Sequence, residues 1–277
     1  MILFNVMEGN RMSDRMRQWL VTAGAIFMIF GTLYGFGLIG TPVEQSSGGS
    51  LSAEATLLAP AVRAFSIWSV IYLGLIGYVI WQWLPTNAAS PRARRIGWLS
   101  ALSMALNGLW LLVVQVGALW LSVAVIVVLA LTLGELMRRL GKPRAAGAGE
   151  KLLVDGTFGL YLGWVSVATL ANITATLVAS GVNPVADVAE YLAVAVLAVG
   201  AVLGAVLARV LGGRIGVAVA MTWGLFWIAV GRLTGQPSSD LAGVTAAIAA
   251  AVVVVATALV LLGRPARRTV PEHAYDH

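Results

Sequence analysis

Eight runs of about twenty apolar residues, separated by short polar segments, constrain the fold of this chain more than any other feature. Each run is long enough to cross the hydrocarbon core of a bilayer as an α-helix. Only 11% of the residues are charged, against about 25% in a soluble domain, so lipid must be the solvent of this surface. The sequence therefore predicts an all-α, polytopic membrane protein. We expect its helices at residues 18–40, 64–85, 96–116, 119–140, 156–179, 188–210, 214–233 and 241–262.

The positions of the basic residues test this count of eight helices. Cytoplasmic loops of membrane proteins carry an excess of Lys and Arg. With the N-terminus inside, only Arg63 and Arg232 of the 18 basic residues fall on the outer side. We therefore expect both termini to be cytoplasmic, in an integral protein of the bacterial inner membrane. The net charge of +6 follows this topology, so it does not indicate a nucleic-acid partner.

Several classes of chemistry are excluded by residues that the chain lacks or places in its tail. There is no cysteine, and both histidines, His273 and His277, follow the last apolar run. A thiolate nucleophile, a Cys-ligated metal or a His-dependent triad within the membrane is therefore excluded. No charged residue lies at mid-membrane, which disfavours an ion-driven carrier. We expect no metal site, no catalytic residue and no required cofactor.

Two acidic residues near helix ends have local interpretations. Glu135 lies one turn before Arg138 and Arg139, so we expect ion pairs near the cytoplasmic face. Asp155 directly precedes the fifth helix and is a candidate N-cap. The Ser/Gly-rich segment 41–63 is the longest connection, and long loops are often functional lids.

Aromatic and amide residues recur on three of the predicted helices. Trp68 and Tyr72 lie one turn apart on the second helix, in a stripe that begins near one interface and runs inward. On the fifth helix, Trp164, Ala168 and Asn172 share a face at intervals of four residues. We expect these faces to meet. The candidate ligand-binding residues are Trp68, Tyr72, Asn107, Trp110, Tyr161, Trp164, Ala168 and Asn172.

Each of these features also has a purely structural interpretation. The tryptophans Trp68, Trp110 and Trp164 are as well explained by core packing as by a pocket, and Asn107 and Asn172 by interhelical hydrogen bonds. Trp223 and Trp227 are better explained by packing or an interfacial belt. The belt also accounts for the tryptophans near predicted helix ends, which are Trp19, Trp81, Trp83, Trp98 and Trp120.

These segments resemble the TspO/MBR family, also called tryptophan-rich sensory proteins or translocator proteins. The motifs that carry the resemblance are Phe65-x-Ile67-Trp68-x-x-Ile71-Tyr72, Leu106-Asn107-x-x-Trp110 and Tyr161-Leu162-Gly163-Trp164-Val165-Ser166-Val167-Ala168-Thr169-Leu170-x-Asn172. The resemblance covers about residues 18–181. We accordingly divide the chain into a five-helix unit at 1–181 and three additional helices with a basic tail at 182–277.

The resemblance implies a five-helix bundle around a pocket that the first loop roofs. Family members bind porphyrins and other flat hydrophobic molecules, and some are linked to tetrapyrrole regulation, transport or breakdown. A porphyrin or haem is therefore the implied ligand, and the 41–63 loop the implied lid. The aromatic-Arg ending that suits sterol binding in animal members is replaced by ATLVASG, so a sterol role is not implied.

Three functions stay open at this point. The first is a membrane sensor or receptor with a Trp-rich ligand pocket. The second is a transporter of a lipophilic solute that uses helices six to eight, and the third is a scaffold with a vestigial pocket. Tetrapyrrole breakdown, with Trp68 and Trp164 as redox-active groups, follows only from the resemblance. The glycine pairs Gly31/Gly35, Gly159/Gly163 and Gly200/Gly204 leave a homodimer open.

Overall fold

The computed structural model describes residues 2–141 and 145–263, with side chains from residue 13 onward, so His273 and His277 lie outside the described residues. Within the described residues the fold is all-helical, and eight helical segments are long and apolar enough to cross a membrane. The predicted fold class is thereby confirmed. The helices are α1 Ile2–Gly35, α2 Ile67–Trp83, α3 Pro91–Gln115, α4 Leu119–Arg139, α5 Thr157–Ala179, α6 Ala186–Val210, α7 Ile215–Thr234 and α8 Asp240–Leu262.

Three helix starts differ from the sequence prediction, each for a local reason. Helix α3 begins five residues early because Pro91 suits the first helical position and the Ser90 hydroxyl accepts a hydrogen bond from the Ala93 amide. Helix α2 begins three residues late, after the 3₁₀ turn Val62–Ser66. Helix α1 reaches back to Ile2, through residues expected to form a polar start.

Asp155 is not an N-cap, which corrects the sequence prediction. It lies within a π-helical turn, Lys151–Gly156, that joins the short helix Ala148–Glu150 to α5. Its carboxylate instead pairs with Arg92 of α3, at 2.8 Å, and with Arg214 just before α7. The predicted pairs of Glu135 with Arg138 and Arg139 are confirmed, at 2.6 and 2.7 Å.

Helices α1 to α5 form a closed ring. Around the ring, α1 packs against α3, α3 against α4, α4 against α5, α5 against α2, and α2 against α1. Helices α1 and α3 approach closely, since a Cβ placed on Gly31 would lie 2.7 Å from the Gly108 carbonyl oxygen. Small residues allow this proximity between helix backbones in lipid. The ring is the five-helix bundle that the resemblance implied.

Helices α6 to α8 form a second unit beside the ring. Helix α8 packs against both α6 and α7, and α7 in turn packs along α5. The α5–α7 contact is parallel, with Gly159 beside Gly216 and Gly163 beside Val217. The predicted glycine pairs therefore serve helix packing within one chain, and the homodimer stays a prediction.

Candidate ligand site between helices α2, α3 and α5

Trp68 is the centre of an aromatic cluster inside the ring. Its ring stacks on that of Tyr72, with a centroid distance of 5.1 Å. It meets the rings of Tyr161 and Trp164 edge-on, each at 6.1 Å. Trp164 is only 2% exposed, and Phe65 packs edge-on against it at 5.8 Å. Edge-to-face and offset contacts of this kind add stability beyond the area they bury. The structure thus brings together four of the predicted site residues.

The cluster lies deeper than the sequence indicated. Trp164 is at the middle of the 32-residue membrane-spanning segment Ala148–Ala179. The C-terminal half of α2 runs alongside the start of α5, where Tyr78 meets Phe158 with a centroid distance of 5.0 Å. Trp68 was expected near one interface. It is instead well inside, because α2 is short and the preceding segment 56–66 enters the protein, with Leu58, Ala59, Pro60 and Ala64 buried.

Asn107 joins this cluster from α3. The residue is fully buried, and its side-chain oxygen accepts a long hydrogen bond of 3.4 Å from the Tyr72 hydroxyl. Its amide nitrogen has no hydrogen-bond partner among the described residues. Trp110 follows one turn later on α3, and its buried indole nitrogen, like that of Trp164, also lacks a partner within the described part of the chain. Three N–H donors are therefore unpaired in the ring interior.

The remaining predicted residues have different surroundings. The Tyr161 hydroxyl donates to the Ser103 carbonyl at 3.1 Å, so this group is satisfied within the protein. Asn172 donates to the Ser122 hydroxyl of α4 at 3.0 Å, which is the interhelical hydrogen bond left open by the sequence. Asn172 is also about 12 Å along α5 from Trp164. Ala168 is half-buried and packs against the core, one turn beyond Trp164.

The arrangement suits binding rather than acid–base or metal chemistry. An unpaired donor buried away from water costs about 1–3 kcal/mol, which an acceptor on a ligand would recover. The aromatic faces suit a flat apolar molecule, and the N–H groups would orient its polar atoms. Among the described residues, no group of three or more His, Cys, Asp or Glu residues could hold a metal ion.

The loop that covers the ring is ordered and held at both of its ends. Its first part is fixed to the end of α3, where the Ser47 hydroxyl donates to the Val114 carbonyl at 2.7 Å and the Gln115 amide donates to the Thr41 carbonyl at 2.6 Å. Burial raises the pKa of Glu44 in this part of the loop. Burial has this effect because it disfavours the charged carboxylate relative to the neutral carboxyl.

The second part of the loop is fixed to α7, which the sequence did not predict. Arg232 donates to the carbonyls of Ala53 and Thr56, at 2.8 and 2.9 Å. The Trp223 indole donates to the Ala64 carbonyl at 2.9 Å. Sequence reasoning also missed Phe36, which meets Tyr72 edge-on at 6.2 Å, and the Phe65 contact described above. One feature of the sequence could have indicated a special role for Arg232: it is one of only two basic residues that the predicted topology places on the outer side.

A comparison with protein families identifies the chain. The sequence model of the family described as TSPO-like protein matches residues 18–260. The chain belongs to the TSPO-like protein family. No curated protein and no solved structure matches it. The suspected family is thereby confirmed. The TSPO-like match also runs past residue 181, where the region of resemblance ends, and takes in α6, α7 and most of α8.

Proposed function

We propose that this TSPO-like membrane protein is a sensor or receptor that binds a flat, hydrophobic, porphyrin-like molecule inside the five-helix ring. The observation that carries the proposal is the set of three unpaired donors, on Asn107, Trp110 and Trp164, in the same ring interior as the Trp68 cluster. Each such donor costs stability when left unpaired, and a ligand that accepts from it would recover part of that cost. The propionate carboxylates of a porphyrin would accept from them.

Titration with protoporphyrin IX and haem tests this proposal. The full-length protein in detergent is titrated while Trp fluorescence quenching and the Soret band are followed. We expect the unaltered protein to bind the ligand saturably. Trp68→Phe and Trp164→Phe keep an aromatic ring but remove the larger indole face, so each should raise the dissociation constant about tenfold. Trp98→Phe is the matched control, because Trp98 is 57% exposed and lies outside the cluster.

The control separates a specific site from general partitioning into the detergent micelle. If Trp98→Phe weakens binding as much as Trp164→Phe does, the ligand is not in the ring. Absence of saturable binding in a folded sample would refute the proposal.

We also propose that the loop end of the protein faces the outside and that both termini are cytoplasmic, in a bacterial inner membrane. The charge distribution supports this orientation, because all the described basic residues except Arg63 and Arg232 lie at the opposite end or its flanking turns. The chain has no cysteine, so single cysteines report sidedness without background. An impermeant maleimide applied to intact spheroplasts should label Glu54→Cys and spare Lys151→Cys. The reverse pattern would invert the topology.

A further inference from the structure

We propose that α7 controls ligand entry and release by clamping the lid, with Arg232 as the positioning residue. The inference rests on the proposed ligand site. The lid is defined here as residues 41–64, between α1 and the turn that precedes α2. Its two parts are held by different elements: residues 41–47 by the end of α3, and residues 53–64 by α7. The three-helix unit thus holds the half of the lid that leads into Trp68.

The hydrogen bonds of Arg232 select one conformation of the lid. Arg232 is 1% exposed, and it donates to the carbonyls of Ala53, Thr56 and Gln236 at 2.8 to 3.1 Å. A buried cation is costly unless it is hydrogen-bonded, so the guanidinium stabilises the lid conformation that supplies these oxygens. The planar guanidinium reaches several acceptors at once, which a lysine ammonium cannot reproduce.

Two further contacts extend the clamp toward the site. The Ala61 amide donates to the Trp227 carbonyl at 3.1 Å, and the Trp223 indole donates to the Ala64 carbonyl at 2.9 Å. Ala64 lies in the turn Val62–Ser66. The next residue of this turn is Phe65, whose ring packs against Trp164. Displacing residues 53–64 from α7 would therefore move Phe65 away from the aromatic cluster. This is the physical connection between the clamp and the ligand.

Lid opening can be measured without any ligand, because the chain has no native cysteine. Ala59→Cys places a thiol within the lid itself, at a position that is only 7% exposed while the lid packs against α7. The maleimide labelling rate of this thiol then reports opening. Arg232→Lys should raise the rate at least about tenfold, since charge-assisted hydrogen bonds to the lid are lost. Val62→Cys, where the native side chain is 54% exposed, should label at the same rate in every background.

Two comparison variants separate the clamp from charge and from folding. Arg63→Gln removes the other outer basic charge, which is exposed, and should leave the labelling rate of the Ala59→Cys thiol unchanged. Trp223→Phe removes a single donor to Ala64 and keeps Arg232, so it should raise the rate in the same direction by a smaller factor. Thermal unfolding of each variant in detergent checks that the fold is retained.

Ligand release provides the second readout. Stopped-flow dissociation of protoporphyrin IX should accelerate about tenfold in Arg232→Lys, whereas Trp164→Phe should change affinity without changing the labelling rate of the Ala59→Cys thiol. Unchanged labelling and unchanged release in both Arg232→Lys and Trp223→Phe would overturn the clamp. If the unaltered protein binds no porphyrin, the proposed function fails, and the labelling rates alone still decide whether α7 holds the lid.

Discussion

The interiors of the two helical units differ in the chemistry of their buried residues. The ring buries large aromatic and amide side chains, such as Trp68, Trp164 and Asn107. Helices α6 and α8 of the second unit bury mainly small residues: Ala193, Gly200, Gly204, Ala208, Ala242, Gly243, Ala246, Ala249 and Ala250. Small residues let helices approach closely and gain van der Waals contacts in lipid, where no hydrophobic force drives helices together. This difference is consistent with the proposal that the ring holds the ligand and that the second unit supports it.

Helix α7 is the element that connects these two kinds of interior. Its glycines at 216 and 224 pack along α5, whereas its aromatic pair, Trp223 and Trp227, reaches the chain segment that enters the ring. The two tryptophan rings also meet edge-on, at 5.6 Å. The second unit is therefore attached to the ring at both ends of α7: by Asp155, which pairs with Arg214 just before the helix begins, and by the lid near the end of the helix.

The largest effect is expected from breaking the attachment at Asp155. Asp155→Asn removes the charge that pairs with Arg92, which is 3% exposed, and with Arg214. Removing one partner from a buried ion pair typically costs about 3–5 kcal/mol, because the other charge stays buried. Arg92 keeps a second acidic partner, Glu150, at 3.3 Å, so we expect a loss near the lower end of this range in the free energy of unfolding in detergent. A loss of this size would show that the ring and the α6–α8 unit stabilise each other.

Glu135→Gln is the control for that experiment. It also removes an acidic partner of two arginines at the same end, but Arg138 and Arg139 are largely solvent-exposed. Exposed ion pairs contribute little, so we expect only a small change. Equal destabilisation by Asp155→Asn and Glu135→Gln would show that the ring and the second unit are not joined through Asp155.

A smaller effect is expected from separating α5 and α7. A Cβ on Gly163 would lie 2.3 Å from the Val217 carbonyl oxygen, so Gly163→Ala must push the two helices apart. Such overpacking costs about 1–3 kcal/mol, measurable as a lower unfolding midpoint. Gly134→Ala on α4 is the matched control, since nothing lies within 4 Å of its added methyl group. It should be neutral or slightly stabilising. Equal midpoints for the two variants would mean that close α5–α7 packing is not what holds the units together.

The membrane spans could be predicted from sequence, because lipid imposes a minimum apolar length and the cytoplasmic side collects Lys and Arg. The Glu135 pairs were equally predictable, since their partners lie within one helical turn. The partners of Arg232 were not, because Ala53 and Thr56 are 179 and 176 residues away. The role of Asp155 was missed for the same reason: it joins three separate elements, and the local pattern resembles an N-cap.

The aromatic cluster could be predicted in part. Trp68 and Tyr72 stack because residues four apart share a helix face, which the spacing shows directly. The depth of Trp68 could not be read from the same spacing, because it depends on how far residues 56–66 enter the ring. The two asparagines illustrate the same limit. Asn107 and Asn172 are both amides within apolar helices, but among the described residues only Asn172 finds a partner for its amide nitrogen, the Ser122 hydroxyl on a neighbouring helix.

These two asparagines test, within the ring itself, whether a buried polar group serves ligand binding or helix packing. Asn172→Leu breaks the hydrogen bond to Ser122, so it should lower the free energy of unfolding by about 0.6–2 kcal/mol and leave protoporphyrin binding unchanged. Asn107→Leu removes an unpaired donor and one long contact to Tyr72, so it should cost less stability, or none, and weaken protoporphyrin binding several-fold. Unfolding midpoints and Soret titrations of both variants measure the two effects side by side.

If Asn107→Leu instead destabilises the protein as much as Asn172→Leu and binding is unaffected, both amides serve packing. The ring interior would then differ from that of α6–α8 only in the size of its side chains, and no ligand would be needed to explain it.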